Sequence, residues 1–325
     1  MLRLECKILI ADPVTLKPKY EYSYAHSIET SGGFADLTDT AKITLPRQNG
    51  LEDKNILNGI NPLFKRGDKI EIWLGYFPTL KKAFTGYITQ ILPKIPMTIL
   101  CEDEMWPLKK TSARKFTTNG CKLKELLTGI LPVGFNFNAL DINVGPWRVS
   151  EHSNVTNVLK ELRTQSIYAR MINGVLYAGL AVIPADQQTQ IFYFEQNVID
   201  DSSLEFQLVE EVKVKIKVNV FYPDNRKVAP YEFGDENGDL RTINLYNVPE
   251  ADLKSAADRE LARLKYTGYR GSFTTFGEPF IRPGDAAAMV STIIPERNGN
   301  YLVKSVKRTF GMSGYRQEVE LETKI

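Results

Sequence analysis

Alternating apolar and polar residues dominate the first hundred positions. Residues 2–10 place Leu, Cys and Ile on one side and charged residues on the other, which is typical of a strand with one solvent-facing side. Residues 69–76 alternate in the same way, and residues 83–91 complete a predicted hairpin with them. Residues 97–102 add a further short strand. Many short strands at this spacing predict a β-sandwich or a β-barrel.

Helical spacing replaces the alternation after Pro107. Apolar residues recur every three or four positions and predict a helix over residues 121–131, with Asn119 as its cap. The same spacing predicts a second helix that starts near Ser153. Asn173-Gly174 lies between apolar runs and predicts a hairpin. Together these signals predict a small α+β insert.

Strand patterns return in the last part of the chain. Residues 212–218 alternate without error, and Asn237-Gly238 predicts a second hairpin turn. One helix is predicted from Pro249 to about Tyr266, with acidic residues in its first turn that suit the helix dipole. The end of the chain is again predicted to be strand.

Two distant segments resemble each other. Each has a Gly-Asp turn that starts an alternating strand, and an aromatic-led strand follows. The shared residues are Gly67, Asp68 and Tyr87 in the first copy and Gly284, Asp285 and Tyr301 in the second. The offset is 217 residues at the glycine and 214 at the tyrosine. A duplicated β-barrel explains the similarity, and because Gly-Asp turns before strands are common, two unrelated turns explain it equally well.

Charge and cysteine content exclude several classes of protein. The 325-residue chain has 41 Lys and Arg against 39 Asp and Glu, a net charge of +2, two His and three Cys. Three Cys without a Cys-x-x-Cys pair form no disulfide framework, and two isolated His argue against a zinc site. The balanced charge argues against general nucleic-acid binding. We expect no cofactor and no metal.

The sequence predicts neither a signal peptide nor a membrane-spanning segment. Charged residues interrupt residues 1–7, so we expect no signal peptide. The longest uncharged stretch of apolar character, residues 173–185, has 13 residues, fewer than the ~18 that span a bilayer. We therefore expect no membrane segment.

Two short motifs have a functional interpretation as well as a structural one. Arg66-Gly67-Asp68 spells the tripeptide of cell-adhesion ligands, but the recurrence of Gly-Asp in the second half favours a structural turn. Residues 102–104, Glu-Asp-Glu, contain the paired carboxylates that a glycosidase needs. Such carboxylates must face each other across a cleft, which neighbours in sequence do not ensure, so an acidic turn is favoured.

Three lysines share one side of a predicted strand. Lys213, Lys215 and Lys217 are two residues apart, and this spacing places their ammonium groups on one face. They are candidates for a channel lining or an interface, and a solvated outer face or a subunit-interface edge protected by lysine is favoured over a path for a polyanion. Neither His26 nor His152 has a local catalytic partner, and the segment 31–33 is interpreted as a flexible loop. No catalytic residue is assigned, and we do not expect an enzyme.

Several segments together resemble a known family. They are residues 37–46, 63–76, 84–88 and 101–109 near the start, and residues 282–285, 299–303 and 310–318 near the end. The order of these segments is similar to that of phage tail baseplate hub proteins of the late-control protein D group, which are related to the head region of VgrG spikes. No single motif is specific; the order and spacing carry the resemblance.

The resemblance implies a β-rich α+β fold, with two similar β-barrel domains and a small α+β insert domain between them. The expected limits are residues 1–110 for the first β-barrel, 111–184 for the insert and 185–325 for the second β-barrel with one helix. This chain ends soon after the second barrel, so a spike needle would be a separate chain.

The resemblance also implies a structural function. The expected protein is a homotrimer whose pseudo-sixfold ring joins the tail tube protein to the central spike protein. Its channel would pass the tape-measure protein and then DNA. It would be made in the bacterial cytoplasm and lie in the virion tail baseplate, in a phage, a prophage or another contractile injection machine. A baseplate-associated cell-wall hydrolase and a carbohydrate-binding adhesin are the alternatives.

Overall fold

The computed structural model describes residues 3–45, 65–92, 96–165, 167–179, 186–222, 228–246 and 248–325. These residues form 22 β-strands and three α-helices, so the expectation of a β-rich α+β fold is confirmed. Pro46, Leu63 and Phe64 of the family resemblance lie outside the described residues, and so does the expected boundary between residues 184 and 185.

The first half consists of seven strands that enclose an apolar core. They are β1 (Leu4–Ala11), β2 (Pro18–Tyr22), β3 (Ser27–Gly33), β4 (Thr40–Leu45), β5 (Lys69–Tyr76), β6 (Thr79–Leu92) and β7 (Met97–Asp103). Alternate residues of β1 and β5 are buried, as the period-two pattern predicts. Ile8, Ile43 and Ile72 are among the fully buried members of this core.

The insert follows and has its own core. Its elements are β8 (Phe116–Lys122), α1 (Leu123–Ile130), β9 (Phe137–Ala139), β10 (Asn143–Val149), α2 (Val155–Thr164), β11 (Tyr168–Ile172) and β12 (Val175–Gly179). Both helices were predicted, and the Asn173-Gly174 hairpin is confirmed, with positive φ angles of 51° and 76°. Asn119 does not cap α1, because residues 116–122 pair with β10 and the helix begins only after them.

The second half has seven strands. They are β13 (Thr189–Tyr193), β14 (Val198–Asp200), β15 (Leu204–Gln207), β19 (Gly268–Phe276), β20 (Ala286–Val290), β21 (Gly299–Gly311) and β22 (Gly314–Lys324). Between β15 and β19 the chain forms the small unit, which consists of β16 (Val214–Phe221), β17 (Tyr231–Gly234), β18 (Asp239–Tyr246) and α3 (Glu250–Leu264). Leu253 and Ala257 of α3 cover the buried face of β16.

The hairpin predicted at Asn237-Gly238 is wrong. β17 and β18 lie on opposite sides of β16, and β18 runs parallel to β16. The N–H groups of Asp235 and Asp239 donate to the carbonyls of Val214 and Lys213 at 2.9 Å each. These bonds hold the connection across the end of β16, so an Asn-Gly turn does not require that the flanking strands pair with each other.

A 14-stranded sheet contains the strands of both halves. Its order is β14-β19-β22-β21-β3-β4-β7-β6-β5-β1-β2, and β13, β15 and β20 pair beside this path. Among the described residues the path of pairing is open and does not return on itself. Strand pairing alone therefore supports the β-rich fold and leaves the expected closed barrels as a proposal.

Four strands of the first half recur in the second half. The path β4-β7-β6-β5 corresponds to β19-β22-β21-β20, and all the neighbours in both paths are antiparallel. Lys69 pairs with Tyr87 in the first half, as Ala286 pairs with Leu302 in the second. A bulge also interrupts both ladders at the equivalent place, after Ile88 and after Val303.

The register corrects the sequence alignment of the two copies by one residue. Tyr87 corresponds to Leu302, and Gly86 corresponds to Tyr301, so the offset in this strand is 215 residues and not 214. The correction matters because a slip of one residue moves every side chain to the other face of a strand.

The two Gly-Asp pairs form turns with the same hydrogen bonds. Gly67 and Gly284 have φ angles of 94° and 90°, a conformation that side chains other than glycine rarely adopt. The N–H of Gly67 donates to the carbonyl of Ile88 at 2.8 Å, and the N–H of Gly284 donates to that of Val303 at 2.8 Å. Each turn thus fixes the start of one strand against the next.

The aspartates of these turns are buried acceptors. Asp68 is 0% exposed and Asp285 is 1% exposed. Oδ2 of each accepts the backbone N–H three residues earlier at 2.9 Å, from Lys65 and Arg282 respectively. A basic side chain pairs with each as well, since Nζ of Lys19 lies 2.7 Å from Oδ1 of Asp68. The carboxylate of Asp68 is therefore inaccessible to an adhesion receptor.

We predict that Asp68→Ala lowers the free energy of unfolding by about 2 kcal/mol, because the substitution leaves the N–H of Lys65 without its acceptor. Urea unfolding followed by circular dichroism measures the change. Asp258→Ala on the exposed face of α3 is the matched control and should cost less than about 0.5 kcal/mol. Equal losses in the two variants would show that the turn does not depend on its buried carboxylate.

Candidate functional site

The two halves meet where β3 of the first half pairs with β21 of the second. This joint runs from Ser27 opposite Gly311 to Gly33 opposite Ser305. The turn of the β21–β22 hairpin lies at the end of the joint, and Phe310 and Tyr315 beside this turn pack in the core of the first half. Backbone pairing and aromatic packing therefore hold the halves in one relative position.

Glycine is required in β3 because the joint is crowded. A Cβ atom on Gly32 would lie 2.4 Å from Cγ of Asp39, and one on Gly33 would lie 2.9 Å from Cβ of Ser305. The interpretation of residues 31–33 as a flexible loop is therefore wrong. Glycine within a strand often marks the close approach of another backbone, and this was the available signal.

A polar cluster lies beside the joint and links all three parts of the chain. Nη2 of Arg170, from the insert, lies 2.6 Å from Oδ2 of Asp39, from the first half. Nη1 of Arg170 also donates to the carbonyl of Pro283, from the second half, at 3.4 Å. Both members of the ion pair are less than one fifth exposed. One arginine thus contacts the insert's two neighbours at once.

Asp103 organises the other side of this cluster. Its Oδ2 accepts the N–H of Asp39 at 2.9 Å, and its Oδ1 accepts the N–H of Met105 at 3.0 Å. Burial, followed by the nearby Asp39 carboxylate, raises the pKa of Asp103 to about 8, although the two N–H donors and Arg170 oppose the shift. The loop before β4 is therefore fixed to the end of β7.

Arg308 and Gln317 form a further pair of buried polar side chains, in the second half. Nε of Arg308 donates to Oε1 of Gln317 at 3.1 Å, and the guanidinium lies 4.3 Å from the ring centre of Phe280. The amide nitrogen of Gln317 donates to the carbonyls of Phe276 and Pro279 at 3.2 and 2.8 Å. Burial lowers the pKa of Arg308. These bonds shape the chain between β19 and β20.

An open cleft of about 400 Å³ lies over the joint and the polar cluster. Its walls carry two ion pairs, Lys82 with Glu71 at 3.0 Å and Lys69 with Glu104 at 3.7 Å. Arg308 lines the cleft as well, and its Nε donates to Gln317. A cleft lined by paired ions of both signs suits a structural contact better than catalysis, which requires an uncommitted acid, base or nucleophile.

The three acidic residues 102–104 do not form a facing pair of carboxylates. Glu102 pairs with Lys109, Asp103 points into the polar cluster, and Oε2 of Glu104 accepts the N–H of Gly174 at 2.8 Å. Each carboxylate thus has a separate structural partner. Asp103 and Glu104 both line the open cleft, and backbone N–H groups donate to each of them there.

The three lysines lie on or next to β16. Lys215 and Lys217 project from the face opposite α3, and Lys213 precedes the strand and is exposed. Nζ of Lys215 lies 2.6 Å from Oε2 of Glu232, which neutralises part of the positive charge. The cluster at the joint includes none of the three. Their assignment to a channel or an interface stays a prediction.

The remaining candidates from the sequence are the two histidines and possible metal ligands. His26 and His152 are both exposed. Over the ranges that the structure describes, no three His, Cys, Asp or Glu side chains come together as metal ligands. A search of the same residues finds no helix with the length and apolar character to cross a membrane. Sequence reasoning missed Asp39, Arg170, Arg308 and Gln317, because strand pairing and packing bring each of them to its partners and no local pattern marks them.

The comparisons with known proteins identify the fold. No family model and no curated protein matches the chain. Among solved structures, a tail protein from Neisseria meningitidis MC58 has a TM-score of 0.65 at 11% identity, over 99% of this chain and 97% of its own. The 43 kDa tail protein of prophage MuSo2 from Shewanella oneidensis has a TM-score of 0.58 at 13% identity, over 98% and 97%.

A secretion-system protein shares the fold as well. The E. coli c3393 protein is a component of the type VI secretion system and exhibits structural similarity to the T4 bacteriophage tail proteins gp27 and gp5. Its TM-score is 0.54 at 9% identity, over 92% of this chain and 73% of its own. The resemblance to phage tail proteins is thus confirmed as a likeness of fold.

We predict that protonation of Asp103 stabilises the fold between about pH 4 and 8. The pKa is about 4 in an unfolded chain and about 8 in this structure, so the folded state binds more protons in this range and stability falls as pH rises. Asp103→Asn should flatten this part of the stability profile, and Asp258→Asn should leave it unchanged. Thermal unfolding at half-unit pH steps measures both slopes, and an unchanged slope in Asp103→Asn would contradict the prediction.

Proposed function

We propose that the protein is a structural component of a contractile phage tail or a tail-like injection machine, and that it serves as the trimeric baseplate hub. The fold it shares with tail proteins over nearly the whole of both chains supports this function. In this proposal the chain has a β-barrel at residues 1–110, an insert at 111–184 and a second, similar β-barrel at 185–325.

The observation that carries the proposal is the internal duplication. Two four-stranded units in one chain have the same strand order, the same register and the same bulge position. Three copies of such a chain supply six similar units around one axis while the assembly keeps threefold symmetry. A ring of this kind matches a sixfold tail tube on one side and a threefold central spike on the other.

The charge of the protein supports a passage function. The 41 basic and 39 acidic residues nearly balance, and Lys69, Lys82 and Arg170 near the joint are paired with carboxylates. Tight phosphate binding needs unpaired basic residues, and it would retain DNA in a channel that DNA must leave. The tape-measure protein and then DNA are the proposed contents of the channel, and Lys213, Lys215 and Lys217 are candidates for its lining or for a subunit interface.

The proposed function is not enzymatic. Each of the acidic residues 102–104 has a structural partner, and the cleft over the joint contains paired charges. In this account the protein acts by its shape and its contacts, and its site of action is the virion tail baseplate. The named solved relatives are tail proteins and a type VI secretion component, which agrees with this role.

The proposal predicts a ring of three chains in solution. Light scattering after size exclusion should give three times the mass of one chain, and negative-stain images should show a ring with a central opening. Because ring closure depends on concentration, the measurement covers a hundredfold range, alone and with the tail tube protein. A single-chain mass under all of these conditions, without rings in the images, would contradict the proposed function.

A further inference from the structure

The strand β3, which forms the internal joint, has an equivalent strand in the second half, and in the described part of the chain that strand forms no such joint. β3 pairs with β4 on one side, with Thr30 opposite Ala41, and β15 pairs with β19 in the same way, with Leu204 opposite Gly271. Since β4 and β19 are equivalent strands, residues 204–207 of the second half occupy the position of residues 30–33 of the first. β15 is therefore the second copy of the strand that makes the joint.

The two copies differ in what lies on their other side. β3 pairs with β21 there, whereas the structure, in its described ranges, gives β15 no partner except β19. β15 thus has an open edge. An open edge presents unpaired N–H and C=O groups, which are a template for another strand.

The partner of β3 is β21, and its equivalent in the first half is β6. β6 also has an unpaired edge at the place that corresponds to the joint. Ser305 to Lys307 of β21 pair with β3, and their equivalents in β6 are Gln90, Ile91 and Leu92. This stretch lies beyond the end of β5. Of the described strands, β7 alone pairs with it. The chain therefore carries both members of a second joint, and they do not pair with each other.

Exposed apolar side chains lie next to β15, and a half-buried aromatic ring, Tyr87 stacked on Trp106, lies at the equivalent place on β6. At the internal joint, Phe34 follows β3, is 2% exposed and packs with Leu302. The equivalent of Phe34 is Leu208, which is 41% exposed, and its neighbour Val209 is 37% exposed. The equivalent of Leu302 is Tyr87, on β6. An apolar residue that is buried in one copy and exposed in the other indicates a surface that a further chain covers.

We propose that the open edge of β15 in one copy of this chain pairs with residues 90–92 of β6 in a second copy. The inference rests on the proposed ring and specifies its subunit contact. The partner is a second copy because β3 already fixes the two halves of one chain in a position in which β15 and β6 are not paired. Repetition of this head-to-tail contact closes a ring in which the halves alternate.

The internal joint also specifies the register of the contact. Gly33 lies opposite Ser305, so Gln207 lies opposite Gln90 of the neighbouring copy. The N–H of Phe34 donates to the carbonyl of Lys304 at 3.1 Å, and the equivalent bond runs from Leu208 to Thr89. In the single chain that N–H of Leu208 has only a 3.4 Å bond to Glu211. Leu208 then packs on Tyr87 of the neighbour.

Disulfide cross-linking tests this register. Gln90→Cys and Gln207→Cys are made in separate chains, mixed and oxidised with copper phenanthroline; Cys6, Cys101 and Cys121 are buried and remain in place. The expected product is a disulfide-linked pair of chains that forms only in the mixture. Glu21→Cys, on β2 at the far end of the sheet, replaces Gln90→Cys in the control and should give less than one tenth of this product.

A second pair of variants tests the apolar contact. Leu208→Asp should raise the concentration needed for half-assembly at least tenfold, and Val14→Asp, on a residue that is 86% exposed, should not change it. If a ring forms without the cross-link and Leu208→Asp leaves it intact, the inferred contact is wrong and the proposed function stands. If no oligomer forms under any condition, the hub function is wrong and the contact with it.

Discussion

The pairing of β3 with β21 is the interaction on which the rest of the structure depends. It joins strands from opposite ends of the sequence and makes one sheet of the two halves. The backbone bonds fix the register, and a side chain at Gly33 would meet Ser305 of β21, whereas one at Gly32 would meet Asp39. Arg170 then secures the insert against both halves through Asp39 and Pro283. The relative position of all three parts thus follows from one joint.

The internal duplication accounts for the features that the two halves share. Both copies keep the Gly-Asp turn, the strand order and the bulge, which are the features that define the unit. They differ in the hairpin that leaves the unit. In the second half this hairpin runs from β21 to β22 and continues as far as Gly311 and Gly314, where Phe310 and Tyr315 pack in the core of the first half. A chain in which β3 and β21 are paired, and the equivalent strands β15 and β6 are not paired with each other, is suited to assembly with copies of itself.

Local patterns predicted much of the fold, and distant contacts account for what they missed. The alternation in β1 and β5, the two helices of the insert and the Asn173-Gly174 hairpin depend on nearby residues, and the sequence predicts each of them. Residues 31–33 form a strand only because β21 lies beside them, and Asn237-Gly238 fails as a hairpin because β16 separates its flanking strands. The paired charges of Asp39 and Arg170 are 131 residues apart and leave no local signal. The Gly-Asp turns were visible in the sequence, but their equivalence required the register of the strands.

In the proposed ring, the joint inside one chain is the pattern for the joints between chains. A cryo-electron microscopy map of the assembled oligomer, at a resolution that separates strands, tests it most directly. The map should show six similar units around one axis. The rotation that relates the first half to the second within a chain should equal the rotation that relates the second half to the first half of the next chain. Unequal rotations, or a contact between chains that leaves the β15 edge uncovered, would contradict it.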